Sequence, residues 1–462
     1  KISTAIGVVD LTGKSTRENP QDNITYQAKI NSNQFNIGKF LGVEILGDGA
    51  LNVDAKAKVG ELKNMECNLL ANLQNFNING NKYNSIEIEG EMSEGIVNAQ
   101  CDIFDQAAII NLNCEMDLLN NFSTILRGDL NEVNLQKMNF FNFPDTTAVI
   151  STDIVARANG FNLDSLRAFI DFRNAIISTQ SKNYDIDYLN IRTRNDSIAN
   201  ILTLNSNIFS LVAEGKYTIE SLVEYINGFV ATYIPDFSLL SPKPTQTHST
   251  QTNIIPFNTN NNINLKVELK NLDMITDLFA LNMNVAPQTL LTANINPQQD
   301  LILDLKSDYF IYDTYIFQNI SLNSNANNGL FDNHLKVSNI KLGDSLNISA
   351  NDLNISHNNG EILLNLQAGM SEKDELSAVL DFKGFLTPNG LQGYFNNSYI
   401  NIAKSTVKLN DNHTISYFDN ALSLLNFSLK QNKGSITLNG NISDKPNNKL
   451  DVTFKDLDIS TF

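Results

Sequence analysis

Cysteine is scarce in this chain: Cys67, Cys101 and Cys114 are the only three among 462 residues. An odd, sparse set spread over such a length is no disulfide framework. One pair could bridge, but free, half-buried thiols are the expectation, and neither outcome indicates a compartment. Proline (10) and glycine (23) are also few. Glycine at about 5% lies below the usual ~7%, which argues against collagen-like repeats and glycine-rich calcium-binding rolls. No run of about 18 apolar residues occurs, so no segment is expected to cross a membrane as a helix. Positive charge is in deficit too: Lys and Arg total 33 against 50 Asp and Glu, a formal net charge of -17. A nucleic-acid binder needs a basic footprint, and none is visible at whole-chain level. The acidic balance instead favours the solubility of a long β protein.

Chemical motifs are missing as well. The four histidines, His248, His334, His357 and His413, lie far apart, none in H-x-x-x-H spacing or beside a cysteine, so no zinc site is expected. "GDGALNVD" offers Asp48 and Asp54 but lacks the acidic spacing of a calcium loop, and it reads as a turn. There is no G-x-S-x-G, phosphate loop or dinucleotide fingerprint. The expectation is therefore a chain with no catalytic residues, no metal and no cofactor. The plentiful carboxylates read as solvated surface.

What is present is period-two alternation, nearly everywhere. Hydrophobic residues make up 42%, too many for a disordered chain. "INLKVELKNLDM" puts Ile263, Leu265, Val267 and Leu269 on one parity. "DLILDLKSDYFIYDTYIFQNISLNS" does so with Leu301, Leu303 and Leu305, then Ile316, Ile320 and Leu322 after a shift around Phe317. "YNSIEIEGEM" contributes Ile86 and Ile88, and "YDIDYLNIRT" contributes Ile186 and Tyr188 before a slip to Ile191. The closing "GSITLNGNISDKPNNKLDVTF" carries Ile436, Leu438 and Ile442, then Leu450, Val452 and Phe454. Side chains of a strand alternate between faces, so each stretch has one apolar face and one rich in Asn, Ser and Thr. Turn signals such as "NGNK", "NANNG" and "DKPNNK" punctuate the runs. These features predict an all-β protein, and the absence of alternating strand and helix patterns argues against a parallel α/β sheet.

Helical signals are few. "TIESLVEYINGFVATYIPD" spaces Leu222, Val223, Ile226 and Phe229 as one helical face, predicting an amphipathic helix near 218–234 ended by Pro235. "LDSLRAF" and "NLDMITDLF" read as short helical turns. The Pro/Ser/Thr/Gln-rich stretch 241–262 reads as a loop or linker, dividing the chain into strand-rich segments 1–240 and 263–462. Related strand forms recur without a fixed period, which suggests an irregular stack of similar strands rather than propeller blades or solenoid coils.

The order of several pieces resembles the middle region of TamB proteins of the AsmA-like, bridge-like lipid-transfer superfamily, in the form found in Bacteroidetes-like bacteria. The matching pieces are "LGVEILGDGALNVDAKAKVGEL", "YNSIEIEGEMSEGIVNAQCDIFD", "VARANGFNLDSLRAFIDFRNAIIST", "EGKYTIESLVEYINGFVATYIPDF" and the closing "ISYFDNALSLLNFSLKQNKGSITLNGNIS…LDVTFKDLDISTF". They span essentially the whole chain and rest on pattern and order. The resemblance implies an elongated, U-shaped β-sheet, a β-taco, with an apolar groove. It implies a periplasmic carrier of phospholipid between inner and outer membranes, serving outer-membrane biogenesis and outer-membrane protein assembly. The chain begins at Lys1 without Met and is expected to be a piece of a longer parent. That parent would supply an inner-membrane anchor and a C-terminal domain docking on an outer-membrane barrel of the TamA or BamA kind.

On this expectation the residues lining a lipid groove are Ile86, Ile88, Ile186, Tyr188, Leu265, Val267, Leu269, Leu301, Leu303, Leu305, Ile436, Leu438, Ile442, Leu450, Val452 and Phe454. After Phe454 the parity breaks at "FKDLD", where a bulge or bend is expected. Two other classes compete. A structural or adhesin β-solenoid predicts regular coils around a closed core. A β-helical carbohydrate-active enzyme predicts a cleft with converging carboxylates.

Overall fold

The computed structural model describes residues 2–17, 23–43, 45–106, 108–139, 147–160, 167–195, 199–217, 262–296, 301–327, 330–343, 346–358, 360–369, 376–387, 390–402, 405–418, 421–443 and 449–456. The fold is nearly all β, a large antiparallel sheet architecture of 29 strands with two short α-helices among the described residues. The predicted helix near 218–234 and most of the 241–262 stretch lie outside the described residues. The chain divides into two compact units, one of Lys1–Ile255 with Asp273–Leu281, the other of Pro256–Leu272 with Asn282–Phe462.

The first unit contains β1 (Ile2–Thr4), β2 (Gly7–Thr16), β3 (Thr25–Asn36), β4 (Asp48–Lys58), β5 (Glu66–Ile78), β6 (Asn81–Ser93) and β7 (Ile96–Asp105). It continues with β8 (Ala108–Asp117), β9 (Ser123–Asn134), β10 (Val149–Asn159), β11 (Arg167–Ser178), β12 (Asn183–Asn195), β13 (Asn200–Ser206) and β14 (Phe209–Lys216). Each strand pairs antiparallel with the next, from β1 to β14. A short helix, Ile37–Leu41, interrupts the meander after β3; Asn36 caps it by accepting the Lys39 N–H at 2.7 Å, and Gly42 closes it at φ 72°.

The second unit contains β15 (Asn262–Leu269), β16 (Met283–Val285), β17 (Thr289–Ile295), β18 (Leu301–Tyr312), β19 (Tyr315–Asn327), β20 (Leu330–Leu342), β21 (Leu346–Asn358) and β22 (Glu361–Ala368). It ends with β23 (Leu376–Thr387), β24 (Gly390–Ile402), β25 (Ser405–Leu409), β26 (Thr414–Phe418), β27 (Ala421–Gln431), β28 (Gly434–Ile442) and β29 (Leu450–Lys455). It too is an antiparallel meander, with β16 pairing only the far end of β18, and with β25 and β26 sharing the edges of β24 and β27. The helical turn expected in "NLDMITDLF" is present as the helix Asp273–Leu278, which belongs to the first unit. Of "LDSLRAF", Arg167–Phe169 begin β11 and the rest lies outside the described residues.

Many strands carry a mid-strand residue in the left-handed region. Asn75, Asn174, Asn319, Asn397 and Asn426 have φ of 50°, 51°, 50°, 43° and 54°, joined by Glu132 at 51° and Ala350 at 49°. Asparagine tolerates this region better than most side chains. Register shifts beside Glu132 and Asn426 mark β-bulges, which bend a strand and increase its twist. In the first unit the apolar side chains beyond these positions are the buried ones. Phe76 and Val133, with Leu51, Leu73, Tyr83, Ile86, Ile103 and Ala108, form its packed core, and Ile177 is likewise buried.

Candidate functional site: two half-covered apolar faces

Antiparallel register sets side chains of one parity into rows that cross the sheet. In the first unit one such row runs from Ala28 on β3 through Leu69, Ala99, Leu126, Ile170 and Leu204 to Leu211 on β14. It crosses twelve strands, about 50 Å at the usual ~4.8 Å spacing. Every residue of this row is half-buried; none is sealed. The adjacent opposite-parity row is Lys29, Asp54, Leu70, Glu89, Gln100, Asn113 and Arg127, so the other face is polar.

The second unit shows the pattern more sharply. Val267, Leu291, Leu305, Leu322, Leu335, Leu353, Leu366 and Leu380 stand side by side across eight strands, all half-buried. On the opposite face the matching row reads Lys266, Thr292, Asp304, Asn323, His334, Asn354, Asn365 and Asp381. A leucine row inside a two-layer sandwich would be sealed on its inner face. This one is not.

The anticipated residues distribute as follows. Ile86 is 3% exposed and sits in the packed core of the first unit, with Ile88 half-buried against it. Ile86 is therefore ordinary core rather than accessible lining. Ile186 is also buried, in register with Ala175 beyond the Asn174 turn of β11. Tyr188 does not share its setting: it pairs with Arg173 on the polar parity and is exposed, while Leu189 lies beside Phe172. The left-handed Asn174 on the facing strand marks the irregular stretch, so the slip lies nearer Ile186 than the alternation suggested. Likewise the shift in β19 sits at Asn319, and Ile316 pairs with Ile311 and Lys341.

In the second unit the anticipated residues converge on one face. Leu265 and Leu303 begin a row that continues through Ile355, Leu364, Phe382 and Phe395. Where β25 and β26 interrupt the ladder, His413 fills the gap: its Nε2 accepts the Phe395 N–H at 2.9 Å, and its Nδ1 donates to the Asn410 carbonyl. The His413 ring stacks on Phe395 at 5.9 Å and meets Phe427 edge-on at 5.3 Å. Phe427 then pairs with Leu438, and Leu438 with Val452. Leu301, which is buried, and Leu450 lie at opposite ends of a neighbouring row. That row includes the facing Gly384 and Gly393; a Cβ at either would meet the Phe382 ring at 2.6 or 2.4 Å, so both must be glycine for the ring to lie flat. Val267 and Leu305 belong to the leucine row, and Leu269 pairs with Thr289. Ile436 pairs with Leu429 and Phe454, and Ile442 with Leu422. Ile442, Val452 and Phe454 are exposed, Phe454 at 65%. The bend expected at "FKDLD" coincides with Asp456, at φ 44°.

Sequence reasoning missed the first-unit row altogether, because alanines and a cysteine alternate less visibly than leucines. It also missed the Phe382–Phe395–His413–Phe427 stack, which needs contacts across an interrupted ladder. All three cysteines lie on the apolar parity of the first unit and are free. Burial pushes the Cys101 thiol up, with Asp102 adding to the effect, and burial alone raises Cys114.

The polar faces carry shallow recesses. One of about 600 Å³ overlies Asp304, Asn323, His334, Asn354, Asn365 and Asp381; one of about 510 Å³ overlies Glu89, Glu91, Gln100 and Arg127. Asp304 and Asp381 stand five strands apart, about 24 Å, far beyond the separation of a glycosidase pair. Among the described residues no group of His, Cys, Asp and Glu is placed to hold a metal, and no helix is long and apolar enough to cross a membrane. No known protein-family model and no curated protein matches the chain.

Proposed function

We propose that the apolar faces hold the acyl chains of phospholipids, and that the chain is part of a periplasmic bridge-like lipid-transfer protein. The carrying observation is the leucine row of the second unit: eight apolar residues in register, each half-exposed, with a wholly polar row behind it. Apolar surface of this extent is not left wet without an occupant. An acyl chain laid along it gains about 0.8 kcal/mol per buried methylene, of order ten kcal/mol for roughly sixteen carbons. Such binding needs no motif, only rows.

On this reading each unit is a segment of an apolar groove of the β-taco kind. Lipid passes between inner and outer membranes by sliding along rows of interchangeable leucine, isoleucine and alanine contacts. No residue has to react, so the protein acts as a conduit, not an enzyme, in outer-membrane biogenesis and outer-membrane protein assembly. On this reading its partners are phospholipid, the inner membrane and an outer-membrane barrel of the TamA or BamA kind. The TamB resemblance in the order of the strands supports this assignment. A β-solenoid fits less well, because its coils stack in parallel whereas every pairing among the described strands is antiparallel.

The test is a charge on the same apolar face, in the neighbouring row that reaches Leu438 and Val452. Leu438→Asp and Val452→Asp place a carboxylate on an accessible face. Both variants are expected to fold, by circular dichroism and thermal melting, while losing the phospholipid that copurifies with the parent protein in native mass spectrometry. If the row were dry core, the same changes would cost several kcal/mol and unfold the unit. That result would reject the groove.

A further inference from the structure

A polar notch interrupts the leucine-rich part of the second unit's apolar face. Ser324 on β19 and Asn333 on β20 are directly opposed in the row next to the leucines, and the Ser324 hydroxyl donates to Asn333 Oδ1. Ser324 is buried and Asn333 half-buried. His357 on β21 lies diagonal to Asn333, one row further, since Asn333 pairs with Ile355 and Phe331 with His357. Diagonal neighbours of this kind are about 7–8 Å apart.

The hydrogen bonds inside this notch leave donors over. Asn333 Oδ1 is taken by Ser324, and among the described residues its Nδ2 has no protein acceptor. His357 Nε2 accepts the Gly360 N–H at 3.2 Å, which puts the ring proton on Nδ1. An amide N–H pair and an imidazole N–H on an apolar face are costly unless an acceptor meets them. Leu322 and Leu335 run beside Ser324 and Asn333, about 7 Å away along the strands, and Leu353 lies about 13 Å along β21 from His357.

We infer that the notch Asn333–His357, set with Ser324 beside the leucine row, selects an acyl-ester lipid, receiving its ester carbonyl oxygens while the hydrocarbon lies along Leu322, Leu335 and Leu353. This rests on the lipid-holding reading and deepens it: the rows bind hydrocarbon of any kind, and the notch discriminates glycerolipid from bare hydrocarbon.

Two photoactivatable probes separate the two claims. One is a phosphatidylcholine with a diazirine in its acyl chain; the other is an alkane of matching length with the same diazirine. The full chain is labelled with each, and adducts are quantified by mass spectrometry on the peptide containing Leu335. The parent protein is expected to take both probes. In Asn333→Leu/His357→Leu, phosphatidylcholine adducts fall roughly tenfold, the loss of one to two hydrogen bonds, while alkane adducts are unchanged or rise. Alkane labelling also reports that the variant is folded, and Asn333→Ala gives a milder second variant with the same direction. Undiminished phosphatidylcholine labelling in both variants overturns the notch and leaves the lipid-holding rows standing; a parent protein that takes only the alkane overturns the phospholipid reading together with the notch. A parent protein that takes neither probe overturns both.

Discussion

A leucine in the middle of an antiparallel strand is ordinarily hidden by a second layer, and Leu353 is not. Its neighbours in register are Leu335 and Leu366, and it remains half-exposed. Ile86 in the first unit is the contrasting case, 3% exposed within a packed cluster. Truncating the two should therefore cost different amounts. Ile86→Ala is expected to destabilise its unit by about 2–5 kcal/mol, as a cavity in a sealed core does. Leu353→Ala should cost only about 1 kcal/mol, because much of its surface already meets solvent. Chemical denaturation measures both; equal large losses would mean that Leu353 is core. At this scale the alternation of the sequence was informative for leucine, isoleucine and valine. Leu265, Leu303, Leu438 and Val452 share a face although 187 residues separate the first from the last. It was misleading for Tyr188, whose parity with Ile186 suggested the apolar face while an irregular stretch of backbone put it beside Arg173.

Strands and turns explain that miss. Period two holds only while the backbone stays regular, and a single left-handed residue reverses parity for everything beyond it. "LQNFNI", "FRNAII", "FQNISL" and "LLNFSL" each place an asparagine where the pattern reverses, and the structure sets Asn75, Asn174, Asn319 and Asn426 at positive φ. An asparagine between two apolar runs was thus the available signal for a left-handed residue, with a register shift beside Asn174 and Asn426. The helix Asp273–Leu278 offers a different test at this scale. Asp277 accepts from the Tyr184 hydroxyl on β12 and pairs with Lys182 at 3.3 Å. Burial and this bond push the Tyr184 phenol from 10.0 up to about 12, and the same bond holds Asp277 below the usual carboxylate range. A raised phenol stabilises the fold fully below pH 10, and the contribution is lost as pH climbs through about 12. The phenolate absorbance missing from Tyr184→Phe should accordingly appear near pH 12, not near 10. Its appearance near 10 would show that the contact does not persist in solution.

Across the whole molecule, chemistry is divided by face. Ion pairs such as Lys29–Asp54 at 2.8 Å and Arg173–Asp171 at 2.5 Å belong to polar-parity rows, and an exposed pair such as Lys29–Asp54 contributes about 1 kcal/mol or less. The net charge of -17 gives the polar faces their solvation and leaves the apolar faces as the surfaces with chemistry to satisfy. Fold class was legible because alternation is a local property repeated along the chain. The half-exposed state of the rows was not, because alternation is the same whether the apolar face meets a second sheet or a lipid. A photocrosslinker separates those two cases most directly. It is placed at Leu353 and, in a second protein, at the adjacent Asn354 on the opposite face, and each is irradiated in cells or with phospholipid vesicles. Lipid adducts at Leu353 with none at Asn354 are the predicted result; equal labelling at the two positions, or none at Leu353, would contradict a lipid-holding face.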